Sequence, residues 1–349
     1  MINPLSQNNA HLEALCSRLD LGAPGGPLKR VYGGLQHTMW RLDTAYGSYA
    51  IKQLSEDADL ADPAAGKHFN TTESLAAAFA ARGVPAVFAH SAGGDFLQLI
   101  DGAGYLVYGW REGTTLGIER VSEEHALVVA RMLAGMHRLN LAFPDLEPQD
   151  FDVHSEDNIT MVVEFAGALQ APLADTLQRA LPTFLEIVDA QPGAIGTLER
   201  HLVACHGDLD QKNVLWDSDG KPALIDWESA RRLNPTYEAL LEALNWSGIW
   251  SRFEPAICRR FIAAYEEAGG VIEQEAVAAS YHCILGDWLY WLMHNVGRCL
   301  GLENVQQRAA AESQVAFSLA VLQRIMDHVP QLLSVSNPPV TRDGRLADV

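Results

Sequence analysis

The sequence predicts an α+β fold in two parts, an antiparallel sheet with one main helix followed by a mostly helical region. Three observations carry that expectation. Strand-like runs separated by glycines fill the first third of the chain. Helical apolar periodicity takes over beyond about residue 114, and 349 residues is long for a single compact domain.

Taken in order, Leu12, Leu15, Cys16 and Leu19 recur at helical spacing, which predicts a helix over 8–19 closed by Gly22 and Pro24. Strand-like segments follow at Leu28–Tyr32, Thr38–Leu42 and Tyr49–Leu54, joined by Gly33-Gly34 and Tyr46-Gly47. A polar linker over 55–67 leads to a helix over 69–82 that stops at Gly83-Val84-Pro85. Three more strands are expected at Ala86–His90, Asp95–Ile100 and Gly104–Tyr108. Ser122 is a good N-cap, with Glu123 and Glu124 at the positive end of a helix that reaches Leu139. The stretch 143–157, with its Pro and Asp residues, reads as loop. Helical patterns resume over 173–190, where Pro182 can start a new segment, and again after Pro192. Later helices are expected over 237–250, 254–268, 273–296 and 304–333, before a loose polar tail over 334–349.

Composition narrows the function. Apolar residues make up 48% of the chain, as in folded proteins, and no apolar run is long enough to span a membrane. With 25 basic against 44 acidic residues the net charge is −19, which argues against nucleic acid or an anionic membrane as a partner and would attract a cationic substrate. The same acidity also serves solubility. Five scattered cysteines form no CxxC pair and no metal-ligand grouping, and no signal peptide is visible, so reduced thiols in the cytoplasm are expected.

The most informative segment is Cys205–Glu228, CHGDLDQKNVLWDSDGKPALIDWE. Asp208 lies in a loop after an apolar run, and Asn213 stands just before Val214-Leu215-Trp216. Asp217-Ser218-Asp219-Gly220 carries a hairpin turn signal, and the return run Ala223-Leu224-Ile225 delivers Asp226 beside Asn213. One hairpin thus pairs two candidate magnesium ligands, Asn213 and Asp226, with a third carboxylate, Asp208, free to act as base. Upstream, Lys52 on a strand can reach two phosphates of a nucleotide, and Glu73 on the next helix can pair with it. The backbone of Gly33 and Gly34 can close over phosphate. In phosphoryl transfer a protein contributes positioning and charge neutralisation.

These residues resemble those of the aminoglycoside phosphotransferase and choline kinase family, small-molecule relatives of protein kinases. The similarity runs from Leu28 to Glu242. It is strongest at His206-Gly207-Asp208, Asn213 and Ile225-Asp226-Trp227, and weaker at Gly33-Gly34, Lys52 and Ala134-Gly135-Met136-His137. The resemblance implies a protein-kinase-like bilobal fold: a nucleotide-binding lobe over 1–108, a hinge over 109–113 at which Tyr108 and Trp110 meet the nucleotide, and a helical lobe over 114–349. By position, Asp208 matches the catalytic base, Asn213 and Asp226 the Mg²⁺ ligands, and Lys52 with Glu73 the ion pair that aligns the phosphates of ATP or GTP. The chain departs from the family at Asp210-Gln211-Lys212, where relatives often have His-Pro-Gly, and at His37, where they often have Asn. Asp210 can favour a cationic acceptor and Lys212 can touch the transferring phosphate; either can equally be exposed filler.

Other candidates have plain structural alternatives. His206 is expected to brace the catalytic loop, and His137 to be a packed helix residue. Trp246, Trp250, Trp288, Tyr290 and Trp291 can line an acceptor pocket or fill the core. Glu238 and Glu242, one helical turn apart, can recognise an amine or stand exposed. A protein kinase is disfavoured, because Asn234-Pro235 and a helix follow Asp226 too closely for a peptide-binding activation segment. A catalytically inactive nucleotide-binding protein is disfavoured because the charged set is complete. What remains is phosphorylation of a small-molecule hydroxyl, on an aminoglycoside-type antibiotic or on an amino alcohol, sugar or other metabolite.

Overall fold

The computed structural model describes residues 5, 9–32, 37–169, 171, 173–302 and 305–335. Gly33 and Gly34, and nearly all of the polar tail, lie outside the described residues. The chain forms two compact units. The first takes in Met1–Gly117, Ala142–Glu147 and His206–Arg231; the second takes in Ile118–Leu141, Pro148–Cys205 and Arg232–Val349. The segment with Asp208, Asn213 and Asp226 thus groups with the sheet.

In the first unit, helix α1 (Asn9–Arg18) precedes strands β1 (Lys29–Val31), β2 (Thr38–Asp43) and β3 (Ser48–Gln53). Helix α2 (Pro63–Ala80) follows, then β4 (Gln98–Ile100) and β5 (Ala103–Gly109). The five strands form an antiparallel sheet in the order β1-β2-β3-β5-β4. Period-two alternation sorts its faces. Trp40, Leu42, Ile51, Tyr105 and Val107 pack with Leu12, Leu15 and Cys16 of α1. Leu106 belongs to a separate cluster with Phe69 of α2, Leu54, Ala89 and Leu97. Lys52 pairs in register with Leu106, so its side chain leaves β3 on the α2 face, opposite Ile51.

Two local expectations are corrected here. Helix α2 starts at Pro63, well before Phe69, because Asp62 is its N-cap, accepting from the Ala64 N–H, and Pro63 has the preset φ of a first helical residue. Residues 86–90 form no strand: Ala86 and Ala89 make isolated bridges to Leu224 and Tyr108. The hairpin forms as expected from β7 (Val214–Trp216) and β8 (Pro222–Leu224). Gly220 takes the positive φ, 73°, and Asp217 Oδ1 accepts from the Asp219 and Lys221 N–H groups.

The second unit is helical. It contains α3 (Glu123–Leu139), α4 (Glu156–Ala168), α5 (Ala174–Leu198), the short strand β6 (Val203–Cys205), α6 (Pro235–Trp246), α7 (Pro255–Glu267), α8 (Gln274–Gly297) and α9 (Val305–Val335). Strand β9 (Arg231–Leu233) runs into it from the first unit. Helix α3 has the expected Ser122 cap. Helix α4 arises where no helix was expected, with Ser155 accepting from the Asn158 N–H. Helix α5 continues through Pro182 and Pro192. Burial of Leu177, Phe184, Ile187, Val188 and Leu198 along one face outweighs the hydrogen bonds that two prolines remove. Helix α8 packs against α4, α5, α6 and α9. Among the described residues no helix is long and apolar enough to cross a membrane.

Candidate active site

The hairpin geometry brings Asp208, Asn213 and Asp226 together inside the first unit. The Ile225 N–H donates to the Asn213 carbonyl at 3.0 Å, extending the β7–β8 ladder so that Asp226 emerges next to Asn213. Asp226 itself has φ 64° and ψ 63°, a left-handed conformation that Asp tolerates better than most side chains. The Asn213 amide donates to the Asp208 carbonyl at 2.7 Å and to Asp208 Oδ2 at 2.9 Å. Asn213 therefore holds both the backbone and the carboxylate of Asp208 in place.

Neighbouring residues support this loop. His206 is fully buried, with Nε2 3.1 Å from the Ile225 carbonyl and its ring against Trp227, as its bracing role requires. Gly207 has φ +80°, and a Cβ there would lie 2.2 Å from the Ser229 carbonyl oxygen. Only glycine lets the loop pass that close. Lys212 Nζ lies 3.0 Å from Asp208 and 2.9 Å from Asp210. Asp210 is 1% exposed and caps the Lys212 N–H, so it braces the loop from inside. Burial, then the charge of Asp208, push its carboxyl up to about 6 against the pull of Lys212.

Lys52 is also buried. Its ammonium lies 2.7 Å from Asp226 Oδ1 and 2.5 Å from Glu228 Oε2. Burial alone would lower its pKa, but Asp226 and Glu228 reverse the sign and raise it. The expected Lys52–Glu73 pair does not form. Glu73 is instead held by uncharged donors, the Tyr108 hydroxyl at 2.6 Å and the Ala89 N–H at 2.7 Å. Burial pushes its carboxyl up to about 7, opposed by the two hydrogen bonds and by the charge of Lys52. Tyr108 thus aims its hydroxyl at Glu73. Trp110 lies under the Arg41 guanidinium, 4.4 Å from its ring centroid, and donates to Glu112 at 2.8 Å. The structure brings Lys52, Asp208, Asn213 and Asp226 into one group but records no contact of the Trp110 side chain with it.

Two residues that the sequence did not single out for the site join it. Glu228 accepts from Lys52 and from His37 Nε2 at 3.1 Å, and these partners hold its carboxyl down at about 2 against its burial. The Ser55 N–H donates to His37 Nδ1 at 3.1 Å, which leaves Nε2 as the protonated nitrogen of the neutral ring. The hints were positional: Glu228 follows Asp226 by two residues, and His37 stands where relatives often have Asn.

The donor set suits a magnesium ion. Asn213 spends its amide N–H groups on Asp208, which turns its Oδ1 away as an acceptor, and a cation, the Lys52 ammonium, already stands on Asp226. An amide oxygen and a carboxylate are the hard ligands that Mg²⁺ takes beside phosphate oxygens.

In the second unit Glu238 and Glu242 are fully buried, not exposed. Glu238 lies 2.7 Å from His137 Nε2, whose other nitrogen meets the Tyr265 hydroxyl at 2.7 Å. His137 is thus a hydrogen-bonded hub, with Cys205 Sγ 3.5 Å from it. Trp246 is core, whereas Tyr290 and Trp291 on α8 are exposed.

Comparison with known proteins identifies the family and the fold. A model of the phosphotransferase enzyme family matches residues 28–280. No curated protein matches the sequence. Solved structures share the fold. Spectinomycin phosphotransferase in complex with ADP and spectinomycin is 14% identical with a TM-score of 0.62, covering 89% of this chain and 98% of that one. An aminoglycoside phosphotransferase from Alicyclobacillus acidocaldarius is 16% identical with a TM-score of 0.62, covering 93% and 96%. Choline kinase LicA from Streptococcus pneumoniae is 16% identical with a TM-score of 0.54, covering 89% and 99%. The fold is therefore the α+β, protein-kinase-like one expected from the sequence.

Proposed function

The chain belongs to the phosphotransferase enzyme family, a small-molecule phosphotransferase with a hydroxyl acceptor, and from that premise we propose its donor, metal and residue roles. It transfers the γ-phosphoryl group of ATP or GTP, bound with Mg²⁺, to a hydroxyl of a small molecule. The observation that carries this reading is the hydrogen-bonded group Asp208–Asn213 beside Asp226–Lys52. Asp208 accepts the acceptor's hydroxyl proton as its oxygen bonds to the γ-phosphorus and the bond to the departing nucleoside diphosphate breaks. Asn213 fixes Asp208 for that transfer, and His206 fixes the loop. Lys52 gives its ammonium to the donor's phosphate oxygens. Asn213 and Asp226 would hold magnesium, which supplies charge neutralisation on the phosphates. In this reading Tyr108 and Trp110 flank the base of the nucleotide, Gly33 and Gly34 cover its phosphates, and Glu73 supports Tyr108.

For the acceptor we favour a cationic hydroxylated compound, an aminoglycoside-type antibiotic first and an amino alcohol or sugar second. A net charge of −19 would concentrate such cations near the protein. Spectinomycin and choline, named for proteins of the same fold, are polar hydroxylated molecules. A cytoplasmic setting fits five cysteines that form no disulfide.

The test is a nucleotide-consumption assay with Mg²⁺ against aminoglycosides, macrolides, amino alcohols and sugars. We expect one class to stimulate turnover and Asp208→Ala to reduce it at least about 100-fold while nucleotide binding persists. Undiminished transfer by Asp208→Ala would remove that residue as the base.

A further inference from the structure

We propose that Glu228, and not Glu73, is the positioning residue for Lys52, and that His37 holds Glu228 in place. The inference rests on the nucleotide-binding reading above. It follows from where each carboxylate's hydrogen bonds go. Both oxygens of Glu73 are taken by neutral donors, Tyr108 and Ala89, in a site that is 2% exposed. A carboxylate committed to neutral donors gives Lys52 no directed contact. Glu228 meets Lys52 at 2.5 Å through Oε2, and the same oxygen accepts from His37.

The arrangement closes on itself. Ser55, just beyond β3, fixes the His37 ring; His37, just before β2, fixes Glu228; and Glu228 fixes the lysine that β3 carries. From α2, His68 Nε2 meets the Glu228 carbonyl at 2.7 Å, so the backbone of this residue is anchored as well as its side chain. Lys52 is a long, flexible side chain whose ordering costs entropy. A partner held by His37 at its side chain and by His68 at its backbone sets the ammonium where phosphate oxygens arrive. Asp226, the other carboxylate on Lys52, has its own assigned role, which leaves Glu228 as the dedicated partner.

A double-mutant cycle tests this, read by calorimetric titration of Mg²⁺–ADP so that no acceptor is needed. Lys52→Met and Glu228→Gln should each weaken binding roughly tenfold, and the double variant should bind no more weakly than Lys52→Met alone. Any effect of Glu73→Gln, which acts through Tyr108, should multiply undiminished with that of Lys52→Met. Independent, multiplying effects of Lys52→Met and Glu228→Gln would overturn the inference, as would a Glu73→Gln effect that vanishes in the Lys52→Met background. His37→Phe removes the donor to Glu228 without touching the carboxylate. It should show a smaller loss that likewise vanishes in the Lys52→Met background, and a loss that persists there counts against the inference. If the unmodified protein binds no nucleotide, the phosphotransferase mechanism fails first and takes this inference with it.

Discussion

Glu73→Gln should change how stability depends on pH, and the sign of that change separates two accounts of the residue. The carboxyl is 2% exposed and rises from an ordinary 4.5 to about 7, burial being the main cause. The folded protein therefore binds this proton more tightly than the unfolded chain does. Its contribution to stability is complete below pH 4.5, declines as the pH rises towards 7, and changes no further above that. At 1.36 kcal/mol for each pH unit between the two values, the loss is at most about 3 kcal/mol. Glutamine removes the ionisation but can keep both contacts, its oxygen accepting from the Ala89 N–H and its amide donating to the Tyr108 oxygen. Tyr108 then loses its own acceptor, a constant cost of about 1 kcal/mol at every pH. The measurement is urea unfolding of both proteins from pH 4.5 to 8, with stabilities compared where the m-values agree. The unmodified protein should lose stability relative to the variant as pH rises. An ion pair with Lys52 would depress the Glu73 carboxyl, move its pH dependence below about pH 4.5 and leave the difference between the two proteins nearly flat over this range. A flat difference, or a gain by the unmodified protein, refutes the reasoning.

Two further substitutions probe the proposed magnesium ligand and the loop. Asp226→Ala should weaken nucleotide binding by tenfold or more in the presence of Mg²⁺ and much less in EDTA, as read by calorimetry under both conditions. Gly207→Ala places a Cβ 2.2 Å from the Ser229 carbonyl at a φ of +80°, and should lower the unfolding free energy by about 2 kcal/mol or more, together with turnover. An unchanged thermal midpoint would show that the loop moves aside freely.

The parts of the site that were readable in the sequence are local. Asp208, Asn213 and Asp226 are joined by one hairpin, and hairpin geometry follows from an Asp-Gly turn and a few ladder bonds. Lys52 could be placed on its strand, and the period-two rule gives its face once β5 is known to lie beside β3. The α3 cap was visible in Ser122 and the acids after it, whereas most of α4 lay beyond the loop read over 143–157, in residues given no element. Helix α5 shows propensity overridden: two prolines argue for a break, and a buried apolar face argues more strongly against one.

The partner of Lys52 was not readable for a different reason. A lysine on a strand and a glutamate on the next helix are near in sequence, and both are needed only to be within reach. Which carboxylate wins depends on competing donors brought in by the fold. Tyr108 lies 35 residues from Glu73 and claims it; Glu228 lies 176 residues from Lys52 and takes the vacant place. The same logic governs Glu238, which looks like an exposed helix acid until His137, 101 residues away, meets it in the interior. A titratable side chain is assigned by the competition for its hydrogen bonds, and spacing alone fixes only the candidates. In this protein that competition turns Glu73 into a buried, easily protonated support for Tyr108. It leaves the charged work of holding Lys52 to a glutamate two residues beyond the proposed metal ligand.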